Sequence, residues 1–150
     1  MIEKTDGIKV IMNKAFHKFS NRKRIVLCVI ILFFMLFGSL FGLFEELVTL
    51  LPFVTLFVIS LGFDTMTGLG VCMLAACFGF SSAITNPFSV GIASSLAGTS
   101  TMSGIWLRTA LFVVIYALVC GFILMYTKKI SKDPTKSLSY EIDLSKKNSL

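Results

Sequence analysis

At 150 residues the chain has the length of one compact domain, yet 55% of it is apolar, only 15% is charged, and its mean hydropathy is +0.86, well outside the range of soluble globular proteins. The net charge of +6 is split: seven of the 14 Lys and Arg residues precede Ile25, six follow Thr127, and Arg108 alone lies between them. Two basic flanks around an apolar centre do not make a face that tracks phosphates, so the expected partner is the lipid bilayer and not nucleic acid.

The first 24 residues are polar and do not read as a secretory signal peptide. Within them, residues 7–21 place Ile8, Ile11, Met12, Ala15, Phe16 and Phe19 at helical spacing, with Lys9, Lys14, His17 and Lys18 between. This pattern predicts a basic amphipathic helix in the membrane interface, within a cytoplasmic segment 1–24. Arg22, Lys23 and Arg24 then mark a cytoplasmic boundary.

Residues 25–61 hold two apolar runs. The first ends in a Gly-rich patch, Gly38 to Gly42, followed by Glu45 and Glu46, and the second carries Pro52. They predict a helical hairpin, either re-entrant from the cytoplasmic side or formed by two full spans. Next come Gly62 to Thr65, where Asp64 or Thr65 suits a helix N-cap. The following apolar stretch, Met66 to Gly98, is too long for one span and carries Ser81-Ser82-Ala83-Ile84-Thr85-Asn86-Pro87 at its middle. Proline removes a helix hydrogen bond and turns the residue before it out of helical geometry. Residues 62–104 therefore predict a broken transmembrane helix and an external loop, with the break near Asn86. A plain transmembrane helix is expected over 105–127, with Trp106 and Arg108 at one interface and Tyr126, Lys128 and Lys129 at the other. The rest, 128–150, reads as a polar, disordered cytoplasmic tail. Basic flanks at both ends put both termini in the cytoplasm.

Four cysteines, Cys28, Cys72, Cys77 and Cys120, sit in apolar runs without metal-ligand spacing, so no metal site is expected. No HExxH or GxSxG motif is present, and Ser81 and Ser82 have no base nearby in sequence, so no enzyme is expected. Broken helices at bilayer depth are how many secondary transporters build a midplane site. Ser81, Ser82, Thr85, Asn86 and Pro87 offer hydroxyls, an amide and freed backbone, and the Gly38–Glu46 patch offers a second joint. The runner-up reading is a small non-transporting membrane subunit that binds a partner through small-residue faces such as Gly91 and Ser95.

The stretch FGSLFGLFEELVTLLP, then SSAITNPFSVGIASSLAG and the closing KKISKDPTKSLSY resemble the YfcC-type branch of the anaerobic C4-dicarboxylate carrier family. The resemblance runs from about Thr5 to Tyr140. It implies an all-α integral membrane protein of the bacterial inner membrane: a re-entrant helical hairpin, a broken transmembrane helix and one further transmembrane helix, part of an inverted-repeat transporter. It also implies transport of small carboxylates or amino acids by alternating access, through Na+ or H+ coupling or through exchange, with no bound cofactor. Carried onto this chain, Gly38, Ser39 and Gly42 fall at the hairpin tip, Glu45 and Glu46 match the paired glutamates, and Ser82, Asn86 and Pro87 match the S-x-x-x-N-P joint. Where the family more usually has two small hydroxyl residues, this chain has Ser39-Leu40. The resemblance reaches only the later part of a first repeat, which implies a fragment, a truncated reading frame or a degenerate gene, or a short chain whose homodimer or second chain supplies the other half of the site.

Overall fold

A computed structural model of the protein describes residues 22–133 together with 135, 137, 139 and 140. The amphipathic segment expected over 7–21 lies outside the described residues, which form helices and turns with no strand among them.

Helix α1 (Lys23–Phe41) ends at Gly42, whose φ of 72° turns the chain and sends its N–H to the Gly38 carbonyl at 3.1 Å. That left-handed stop suits glycine, which has no β-carbon to strain. After two linking residues, α2 (Glu45–Ser60) runs back with Glu45 and Glu46 in its first turn, where carboxylates offset the positive end of the helix dipole. Pro52 is accommodated inside α2, and the buried Thr55 hydroxyl donates to the Leu51 and Pro52 carbonyls. Asp64 caps the next helix, accepting from the Thr67 N–H at 3.0 Å and from the Thr67 hydroxyl; of the two cap candidates, Asp64 is the one used.

Helix α3 (Thr65–Ser81) contains a wide π turn at Gly70–Leu74 and stops at Ser82. Helical geometry resumes at α4 (Pro87–Leu96), which opens with a second π turn, Pro87–Gly91. The break therefore falls where proline chemistry places it, with Asn86 at φ −45°, ψ 116°. Helix α5 (Ile105–Lys132) continues five residues past the expected end at Thr127. Nothing in Lys128–Lys132 opposes helix, and the stop comes at Asp133, extended at φ −148°, immediately before a proline.

The first arm, α1, packs on the second half of α3 and on α5, while α2 packs on the first half of α3. Leu27, Ile31 and Met35 of α1 meet Val71, Cys72 and Ala75 of α3, with Phe112, Val119 and Ile123 of α5 completing the core. The Tyr116 hydroxyl donates to the Cys28 carbonyl at 3.1 Å and ties α5 to α1. Helices α1 and α5 are long and apolar enough to cross a membrane. Their outer faces leave Val29, Phe33, Leu107, Leu118 and Met125 exposed, the distribution of a protein whose surroundings there are hydrocarbon.

The tail expectation is corrected in part. Ser137 and Ser139 are buried, and the Ser137 hydroxyl donates to Asp64 Oδ2 at 2.8 Å. Tyr126 donates to the same oxygen at 2.9 Å, so a buried carboxylate with hydroxyl donors holds this part of the tail in place.

Candidate functional site

The last turn of α1 and the break after α3 form one unit. A β-carbon on Gly38 would lie 2.6 Å from the Ala76 carbonyl oxygen and 2.8 Å from the Phe80 nitrogen. One on Gly79 would lie 2.7 Å from the Met35 Cα. Two glycines facing opposite helices let the backbones touch, which no larger residue would permit.

That approach delivers the buried Ser39 to the break. Its carbonyl accepts from the backbone N–H groups of Ile84, Thr85 and Asn86 at 3.1, 3.3 and 3.1 Å, and its hydroxyl accepts from Ile84 N–H at 3.0 Å. The Thr85 hydroxyl donates to the Leu40 carbonyl at 3.2 Å, and Asn86 Nδ2 donates to the Gly38 carbonyl at 3.4 Å. Asn86 Oδ1 accepts from Phe88 N–H at 2.9 Å and caps α4. Unwinding a helix orphans N–H groups, and each one left unpaired away from water costs several kcal/mol. The hairpin tip supplies the acceptors.

The nine residues singled out from sequence thus separate into three groups. Ser39, Gly42, Thr85 and Asn86 meet directly, and a β-carbon on Gly42 would lie 2.7 Å from Phe88 Cδ2 as well as against Asn86. Ser82 and Pro87 belong to the same break: the buried Ser82 hydroxyl turns inward to the Gly79 carbonyl at 3.1 Å, and Pro87 opens α4. Glu45, Glu46 and Ser81 are exposed, and Ser81 lines a cavity of about 220 Å3 with Phe44, Cys77 and Phe80.

Sequence reasoning missed Ser89. Its hydroxyl oxygen is buried and has no hydrogen-bond partner among the described residues. A helical serine normally bonds back to a carbonyl three or four residues earlier. Here the Asn86 carbonyl, three residues earlier, already accepts from Val90 N–H at 2.9 Å and Gly91 N–H at 3.1 Å, and the Ser89 hydroxyl makes no bond back to it. The serine after N-P-F is visible in the sequence, but the wide turn that strands it is not.

Comparison with known proteins gives a consistent result. The family model described as "C4-dicarboxylate anaerobic carrier" matches residues 1–149. An uncharacterised protein of Haemophilus influenzae is 37% identical over 121 residues, covering 81% of this chain and 24% of its own length. The "putative basic amino acid antiporter YfcC" of Escherichia coli is 33% identical over 110 residues, covering 73% of this chain and 22% of its own. The chain thus spans about a quarter of the length of these curated relatives. No solved structure matches.

Proposed function

Because the chain belongs to the C4-dicarboxylate anaerobic carrier family, we propose that it supplies the hairpin and broken helix of a secondary transporter in the bacterial inner membrane. The observation that carries this reading is the bonding of the tip at Gly38–Leu40 to the break at Ile84–Asn86. An unwound segment at bilayer depth persists only where protein or a wet cavity satisfies its backbone, and transporters place such joints at the solute site. The point where the tip docks favours a re-entrant hairpin, while α1 by its length alone could also cross. The 19 residues of α1 rise about 28 Å and the 28 of α5 about 42 Å, and α1 ends against the middle of the broken helix, with α4 still to follow.

In this reading Asn86 pins the tip to the break, and the solute or its coupling ion meets the seam from the side where Glu45, Glu46 and Ser81 are exposed. The solute is a small carboxylate or an amino acid, as the family description and the name of the E. coli relative suggest between them, moved by alternating access with an ion or by exchange. A second copy, or further chain, completes the site.

The test is uptake of labelled succinate and labelled arginine into proteoliposomes carrying a longer relative that has asparagine at the position of Asn86, with that asparagine replaced by alanine. Transport should disappear while membrane insertion persists, and alanine at the position of the exposed Ser95 should leave uptake intact. Normal uptake after the asparagine replacement reduces the break to a kink.

A further inference from the structure

Arg108 stands apart from the basic flanks, in the first turn of α5 and at the opposite end of that helix from Lys128 and Lys129. A solitary arginine at a membrane boundary ordinarily extends toward water. This one folds back. Its Nη2 donates to the carbonyls of Thr101 and Ser103 at 2.6 and 2.7 Å, which fixes the plane of the guanidinium. Its Nη1 is buried and has no hydrogen-bond partner among the described residues. The same side chain lines a cavity of about 330 Å3 together with Ser94, Thr99, Ser100, Thr101 and Ser103, within the size range of small-molecule sites, roughly 300–1,000 Å3. None of the described residues lining that cavity is acidic.

We propose that Arg108 and the hydroxyl-lined cavity beside it form a carboxylate-binding site on the face opposite the basic flanks, distinct from the tip and break. A buried cationic nitrogen without an acceptor is destabilising, and closing it with an anion recovers that loss. With Nη2 held by the two carbonyls, Nη1 keeps its own N–H donors for a carboxylate oxygen. Serine and threonine hydroxyls, which both donate and accept, adapt to the remaining polar atoms of the ligand. One is already poised: Ser94 Oγ and Thr101 Oγ1 lie 3.2 Å apart, joining α4 to the loop that holds Arg108. A carboxylate reaching Nη1 would therefore bridge the second half of the broken helix and the start of α5. Organic acids and amino acids both carry this group, so the site receives the anionic end of either. The choice of a solute as its source rests on the transporter reading; the anion chemistry does not.

The experiment uses this chain in lipid nanodiscs, with Ser103→Cys as reporter and the exposed Cys77 replaced by serine. An impermeant thiol reagent is applied with and without succinate, arginine or the neutral diamide of succinate. Succinate and arginine should each slow labelling about tenfold through the charge-assisted pair, and the diamide should have no effect. Arg108→Gln should abolish the slowing. Absence of slowing by either carboxylate, or equal slowing in Arg108→Gln, overturns the site, and the first of these outcomes also covers a protein carboxylate occupying the arginine instead of a solute. If Arg108→Gln changes the ligand-free labelling rate, the loop has moved and Arg108→Lys decides: slowing weakened about threefold or more upholds contact through the second guanidinium nitrogen, which lysine lacks, and undiminished slowing overturns it. Uptake does not enter this readout, so the site and the transporter reading fail separately.

Discussion

The Asn86 side chain occupies the space where a β-carbon on Gly42 would have to sit. The tip of the hairpin and the cap of α4 are therefore fitted closely to each other here, and the fit depends on position 42 being glycine. Its φ of 72° adds a second requirement. Gly42→Ala should cost about 2–4 kcal/mol, the sum of left-handed strain and overpacking. Equilibrium unfolding in mixed micelles measures it, and a loss below the error of that measurement contradicts the fit.

The pairing of Gly38 with Gly79 makes a sharper comparison possible. Gly38→Val should separate α1 from α3 and free the amides of Ile84, Thr85 and Asn86 from the Ser39 carbonyl, so their hydrogen exchange should accelerate at least tenfold. Gly121 lies in α5 with nothing within 4 Å of its would-be β-carbon. Gly121→Ala should stabilise the chain by about 0.5–1 kcal/mol through helix propensity alone. Equal destabilisation by both changes would remove the special role of the α1–α3 contact.

Asp64 joins three parts of the chain: the start of α3 through Thr67, the end of α5 through Tyr126, and the tail through Ser137. Asp64→Asn leaves hydroxyl donors facing an amide that accepts at only one atom, and should cost about 1–3 kcal/mol. Ser137→Ala removes the tail's direct bond and about 1 kcal/mol. Limited trypsin digestion at Lys132 and Lys136 reads the docking: both variants should be cut faster than the parent. Unchanged cleavage in both means the tail is held by something other than Asp64.

Glu45 and Glu46 report on the hairpin. Both are exposed at the first turn of α2, so labelling depends on what surrounds them. In a Cys77→Ser background, Glu45→Cys and Glu46→Cys should resist an impermeant thiol reagent applied from outside whole cells. Rapid external labelling would place them in an ordinary loop between two full spans.

Sidedness follows from the basic flanks, which outnumber the single Arg108 on the other face. Reporter fusions at residues 20 and 135 should both read cytoplasmic. An external reading at either position overturns this topology.

Much of this architecture is legible along the chain because its causes are local. Pro87 disturbs only the turn before it, so the break at Ser82–Asn86 could be placed from sequence. The Gly38–Gly42 patch and the adjoining glutamates mark a joint for the same reason, and Asp64 reads as a cap from its neighbours. Basic flanks and apolar runs establish a membrane protein by composition, since no other solvent tolerates such faces.

Partner choice is a different kind of information. Ser82 and Asn86 both read as available for a solute in the sequence, yet packing turns Ser82 inward to Gly79 and locks Asn86 against Gly38 and Phe88. Ser89 is left without a partner among the described residues in the π turn that gives the Asn86 carbonyl two backbone donors. Arg108 reads as an interfacial anchor until the loop carbonyls of Thr101 and Ser103 capture it, and the tail reads as disordered until Ser137 finds Asp64. Backbone geometry at a proline or glycine is decided within a few bonds. Which donor meets which acceptor is decided by helices distant in sequence coming into contact, and that is settled only when the whole core has packed.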